Sequence, residues 1–301
     1  MSSFRLSEPG RRSFGAVIDV PGLLDPETIV DIGLPPVGTL TLGRLRLPAG
    51  RPARAGAVDP PVGDVIAPAL CLTDEPVSDA AVVWRLLVDR FPATGLWPVV
   101  LRSLAGTGQR PWNSGELQPV TMETVDGLDA LSILAQGWAD SLVPIGGLVG
   151  HPEIERALAP YGAEFPGLAA APPRNEEQCL LPATVLGWSS AARIGLVRCR
   201  RPADAVAAIG WLGTINWIEP AQVAAVLRSW EDRFGAVLAS LDFATLTLLV
   251  RHPPQTVEQA LPLAAEIAAF CPDEVRQGTY DSLRQLSGAL VGRPYWRLWF
   301  D

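Results

Sequence analysis

The sequence predicts an α+β fold: a mainly antiparallel sheet with helices packed on one face, plus a looser N-terminal strand and helix region. Three observations carry this prediction. The last third of the chain alternates strand-like and helix-like stretches in a regular order. Two apolar runs, 236–241 and 246–250, are separated by only the four residues 242–245, which suits an antiparallel hairpin. The first 70 residues are instead punctuated by Pro and Gly, including Pro35-Pro36 and Pro60-Pro61, which disfavours long helices.

Taken in order, residues 13–20 and 39–47 read as strands. Residues 78–90 read as a helix with Val83, Trp84, Leu87 and Val88 on one face, ending before Pro92. The apolar run 96–101 suits a buried strand. A loop follows over 102–121. Residues 126–142 are predicted helical, with Leu128, Leu131, Leu134, Ala135 and Trp138 on the apolar side. Residues 144–178 are rich in Pro, Gly and Ala, broken by a short helix at 152–158.

The regular part then begins. Residues 192–199 read as a strand, and Pro202 suits the first turn of a helix running to about Trp211. From Pro220, the positions Val223, Val226, Leu227, Trp230 and Phe234 form an amphipathic stripe closed by Gly235. After the hairpin, Thr256 and Gln259 match a capping box, with Pro262 predicting a kink or late start in the helix to Phe270. Residues 280–290 are helical. The closing strand, 295–300, puts Trp296, Leu298 and Phe300 on one side and Tyr295, Arg297 and Trp299 on the other. These readings divide the chain into an N-terminal region (1–165), a connection (166–189) and a C-terminal α+β domain (190–301). The string 84–91 also echoes 227–234, each closing a helix ahead of a strand.

Composition narrows the chemistry. Hydrophobic residues make up 48% of the 301 and charged residues 19%, enough to build a core. The net charge of −8 argues against a general nucleic-acid binder. Uncharged runs stop short of the roughly 18 residues that a spanning helix needs, so no membrane partner is expected. Residues 1–20 carry Arg5, Glu8, Arg11 and Arg12 and no apolar core segment, so a cytoplasmic location is expected. Two histidines, His151 and His252, and four widely spaced cysteines offer no familiar metal motif, and the cysteines read as thiols. Every basic residue is Arg, so a Schiff-base lysine and a P-loop lysine are both excluded. No metal and no cofactor is expected.

Leu227-Arg-Ser-Trp-Glu-Asp-Arg-Phe-Gly-Ala236, Pro253-Pro254, Ala260, Ala264-Ala-Glu266, Phe270-Cys-Pro-Asp273, Gln277-Gly278 and the ending Trp296-Arg-Leu-Trp-Phe-Asp301 occur in that order. Over roughly residues 190–301 this resembles the bacterial domain of unknown function 4253. Upstream, Thr94-Gly-Leu-Trp-Pro98 and Arg110-Pro-Trp112 with Gly115-Glu116 are similar to a region often attached to it. The family tends to end in two adjacent tryptophans before Asp; Phe300 stands at the second here. The resemblance implies no activity.

The candidate ligand-binding residues are Arg110, Trp112 and Glu116 in the 102–121 loop, where polar residues serve function more often than packing, and Arg228, Trp230 and Glu231 on the helix after Pro220. Arg228 and Asp232, four apart, are expected to pair on the helix surface. Seven tryptophans, Trp112, Trp138, Trp211, Trp217, Trp230, Trp296 and Trp299, serve either the core or a groove for a partner. Two functional readings result. The first is a non-enzymatic protein-interaction module, its partner another protein; an immunity-like role would suit the acidic charge. The second is a metal-free hydrolase or transferase, or a small-ligand binder, with its pocket between the two regions. In that case Arg110, Glu116 and Glu231 should converge in one concave site.

Overall fold

The computed structural model describes residues 17–42, 45–54, 66–106, 110–142, 152–174, 179–182, 192–277 and 280–301. His151, Pro60-Pro61, the start of the first expected strand and much of the expected connection lie outside them.

The first half of the described chain holds β1 (Val17–Asp19), β2 (Gly38–Leu42), β3 (Leu45–Pro52), β4 (Leu70–Thr73), α1 (Ala80–Val88), α2 (Phe91–Thr94), β5 (Leu96–Leu101), α3 (Met122–Asp126), α4 (Ala130–Ser141) and α5 (Pro152–Ala157). The second half holds β6 (Leu180–Pro182), β7 (Arg193–Arg198), α6 (Ala205–Ile209), α7 (Pro220–Phe234), β8 (Ala236–Leu241), β9 (Thr245–Val250), α8 (Val257–Phe270), α9 (Asp273–Arg276), α10 (Leu283–Leu290) and β10 (Tyr295–Trp299). β1 and β6 form a small pair of their own. The other eight strands make one sheet in the order β10-β9-β8-β5-β7-β4-β3-β2. All neighbours are antiparallel except β5 and β8. Whether the N-terminal region shares the C-terminal sheet, open from sequence, is thereby answered: β7 lies between β4 and β5, and β5 between β7 and β8.

The elements follow their local chemistry. In α7, Val223, Val226, Leu227, Trp230 and Phe234 are all buried, and Gly235 closes the helix at φ 60°. β10 behaves as its alternation predicts. Trp296, Leu298 and Phe300 are buried, and Trp296 meets Trp230 and Phe234 of α7 edge-to-face at 5.6 and 5.4 Å. Tyr295, Arg297 and Trp299 stay in contact with water. The centre of the sheet differs: β5 and β8 are buried at all six positions, so both faces are covered there. On one face α1 sets Trp84 against Trp97 at 5.9 Å. Pro98 interrupts this central strand without a backbone donor. Beside it, the Trp97 indole donates to Leu238 O at 2.7 Å, across the short parallel pairing of β5 with β8.

Several expectations are corrected. Residues 39–47 form parts of two strands, β2 and β3, paired as a hairpin. Pro92 does not merely end a helix; it sits in the first turn of α2, where no N–H is required. α3 is a separate short helix ending at Asp126, and the helix expected over 126–142 is α4, which begins only at Ala130, where the Asp129 side chain caps it by accepting from Ser132 N. Its buried line is Leu134, Trp138 and Ser141, while Leu131 and Ala135 are exposed. Gly137 lies against the Ala269 backbone of α8, on the same side of the helix as the buried Leu134, Trp138 and Ser141. The helix from Pro202 starts as a tight turn and is closed by Gly210, just ahead of the expected end at about Trp211. Pro262 sits inside α8 without dividing it.

Candidate functional site

β7 runs up the middle of the sheet, and at its end the chain reads Arg198-Cys-Arg-Arg201 before Pro202 turns it into α6. This arginine run forms one side of a cleft of about 560 Å³. The facing walls come from the N-terminal half: Pro26 to Asp31, Ile66 to Ala69, and Pro119 to Asp126. Arg228 reaches the cleft from α7.

Two glycines seat the walls. Gly95, at φ 66°, lies so close to the 29–32 segment that a Cβ there would stand 2.7 Å from Val30 O. Val30 N and Ile32 N donate to Pro92 O and Thr94 O beside it. Gly210, at φ 74°, lies against the opposite wall, where a Cβ would fall 2.0 Å from the carbonyl carbon of Gln118. Gln118 N donates to Gly210 O at 2.8 Å, and Val120 N to Ala207 O at 3.1 Å. Only glycine combines this backbone conformation with that approach.

Four guanidinium groups meet in the cleft, each facing a carboxylate. Arg198 and Asp31 make a forked pair with distances of 2.6 to 2.9 Å, and Arg198 holds the Asp31 carboxyl below its ordinary range. Arg228 joins Asp204, a nearly buried acid, to Asp126 on the wall at 2.6 Å. Arg201 divides itself between Glu231 (3.1 Å) and Asp232 (2.5 Å) and also donates to Arg228 O. Arg200 is the most loosely held, 64% exposed and 4.0 Å from a still more exposed Glu27. The remaining lining is apolar, including Ile29, Ile66, Val120 and Met122.

Glu231 lies directly beneath this cluster and is only 4% exposed. Its Oε2 accepts from Ala203 N at 2.9 Å. Burial pushes its carboxyl up to about 7, against the opposing pull of Arg201 and the Ala203 N–H, and Asp204 adds to the rise. Cys199 also lines the cleft; burial, then Asp204 and Glu231, push its thiol well above its ordinary value. The Cys71 thiol rises to about 11, and Cys179 and Cys271 also rise, each through burial first. All four cysteines are free, and each is held in the poorly nucleophilic protonated form. Burial, with Arg251 and Arg174, pushes His252 down. Among the described residues, no group of three or more His, Cys, Asp or Glu is arranged to hold a metal ion.

Of the six residues singled out from sequence, Arg228 lines the cleft and Glu231 supports its floor through Arg201. Trp230 is core, its indole donating to Glu266 at 2.8 Å. Arg110 and Glu116 form a bidentate pair with each other, Glu116 held low by Arg110 and then Ser114, and Arg110 covers the Phe243 ring at 4.8 Å. Trp112 is buried, its indole donating to Arg102 O. These three do not line the cleft. The expected Arg228–Asp232 pair is not made: Arg228 turns to Asp204 and Asp126, and Asp232 takes Arg201. Sequence reasoning missed Arg198, Arg200 and Arg201. A run of arginines at a strand end just ahead of a helix-starting proline was the available signal.

Residues 193–301 match the family model described as Domain of unknown function (DUF4253). The match covers the arginine run, Glu231 and Arg228, but not the walls at 26–31, 66–69 and 119–126. No curated protein and no solved structure matches the chain. No helix among the described residues is long and apolar enough to cross a membrane.

Proposed function

We propose that the chain binds a small ligand, carrying a carboxylate, phosphate or sulfate group on an apolar body, in the cleft between the N-terminal walls and the arginine run. The supporting observation is the convergence of Arg198, Arg200, Arg201 and Arg228 on one concavity with apolar walls. Its volume of about 560 Å³ is within the range of ordinary ligand sites. Guanidinium groups present planar, forked donors to such anions. Arg200 is the entry contact, because displacing the exposed Glu27 from it costs little. A cytoplasmic location belongs to the same reading, since four free thiols suit a reducing compartment.

The protein-interaction reading has the net charge of −8 in its support. It has less support from the aromatics. Trp112, Trp138, Trp211, Trp230 and Trp296 are in the core, leaving Trp217 and Trp299 at 36% and 40% exposure. The test is thermal unfolding of the full chain against a panel of small carboxylates and phosphate esters. A ligand of this class raises the midpoint in a saturable way, and Arg200→Ala weakens the effect. A panel without any saturable shift would remove the proposal.

A further inference from the structure

We infer that an anion entering the cleft takes Arg201 from Glu231, and that Glu231 takes up a proton from solvent in exchange. This rests on the cleft being an anion site and adds how occupancy is regulated. The geometry is that of a shared cation. Arg201 lines the cleft with one side and touches Glu231 with its Nε at 3.1 Å, a longer contact than Arg198 makes to Asp31 or Arg228 to Asp126. Its outer nitrogen holds exposed Asp232.

An anion brought to Arg201 while Glu231 is ionised would be the third negative group around one cation, after Glu231 and Asp232. With Glu231 neutral, Asp232 is the only anion left on the guanidinium, beside the long contact to Arg228 O, and the group can turn toward the cleft. The Ala203 N–H stays on Oε2 in either state, so protonation at Oε1 leaves the floor intact.

The groups facing Glu231 favour the exchange. From the turn before α6 come Arg201 and Asp204, from the end of β7 comes the protonated Cys199, and from its own helix comes Asp232. β8, the strand following α7, carries only Ala, Val, Leu and Ser and offers no compensating charge. The carboxyl already stands near neutrality at about 7, so the proton is available in the working range.

The experiment uses sulfate, which remains a dianion across the neutral range, so that only the protein titrates. Sulfate affinity of the full chain is measured by calorimetry over a pH series, and the Glu231 side-chain carbon is followed by NMR with and without sulfate. The wild type should bind about tenfold more weakly per pH unit above the Glu231 midpoint and uniformly below it. Sulfate should also move the Glu231 titration to higher pH. Glu231→Gln should bind sulfate with a flat profile near the wild-type low-pH affinity, and Arg201→Ala should bind poorly throughout.

If wild type and Glu231→Gln bind sulfate with the same pH profile, the proton exchange is wrong while the anion site stands. A wild-type Glu231 that titrates in the ordinary carboxylate range, unmoved by sulfate, overturns the exchange in the same way without any variant. Absence of saturable sulfate binding at every pH, in wild type and Glu231→Gln alike, overturns the anion site and this inference together.

Discussion

Glu266 has no exposed surface, yet four donors reach its two oxygens. Ala169 N and Arg233 Nη1 approach Oε1 at 2.6 and 2.7 Å; Arg233 Nη2 and the Trp230 indole approach Oε2 at 2.6 and 2.8 Å. The pair ties α7 to α8 and pins Ala169, whose carbonyl also accepts from Arg233. Trp230, Arg233 and Glu266 all belong to the strings that carry the family resemblance, so part of that signature is a buried structural bond. Burying a charge is tolerable when every lone pair is met, and removing one partner strands the other. Glu266→Ala should therefore cost about 3–5 kcal/mol in urea unfolding. Glu231 has fewer partners, one guanidinium contact at 3.1 Å and one backbone N–H, and its burial pushes its carboxyl up to about 7 against their pull.

At the scale of elements, α6 and its terminal glycine do more than their five helical residues suggest. Gly210 ends the helix and also receives the 117–120 segment, whose Pro119 and Val120 are cleft wall. A methyl group there would press into the Gln118–Pro119 peptide, on a backbone at positive φ. Gly210→Ala should lower stability by about 1–3 kcal/mol and weaken any cleft ligand, read by unfolding midpoints with and without that ligand. A mutation in the Arg110–Glu116 pair, outside the cleft, should leave ligand affinity unchanged. The periodicity of α7 is legible in the sequence because its stripe is local and every position in it meets the core. The buried face of α4 is legible only in part: Leu134 and Trp138 are buried as expected, whereas Leu131 and Ala135 are exposed, because the side carrying Gly137 packs on the Ala269 backbone. Arg228 looks locally like a surface partner of Asp232, since nothing nearby in the chain reveals that the turn after Arg201 delivers a nearly buried Asp204 beside it.

Over the whole molecule, sequence order and sheet order part company, and the cleft lies where they do. The arginines at 198–201 meet Asp31 and Asp126 only because β7 is inserted between β4 and β5, strands that precede it by about a hundred residues. No local pattern encodes such a neighbour. The echo between residues 84–91 and 227–234 acquires a spatial counterpart: each string leads into one of the two parallel central strands, β5 and β8. The same topology bears on the matched segment. Within residues 193–301, β7 has no sheet neighbour, because β5 separates it from β8 and β4 flanks its other side. A chain of 190–301 alone would expose both edges of β7, the β8 edge and the face on which α1 packs. Open apolar edges of this kind associate rather than stay monomeric. Expressed alone, 190–301 should lack a cooperative unfolding transition and self-associate in sedimentation. Adding residues 66–142 in trans should restore a single transition, since that piece carries β4, α1 and β5. A cooperative, monomeric 190–301 would mean that α7 to β10 hold together without β5, and that the cleft joins two units that fold independently.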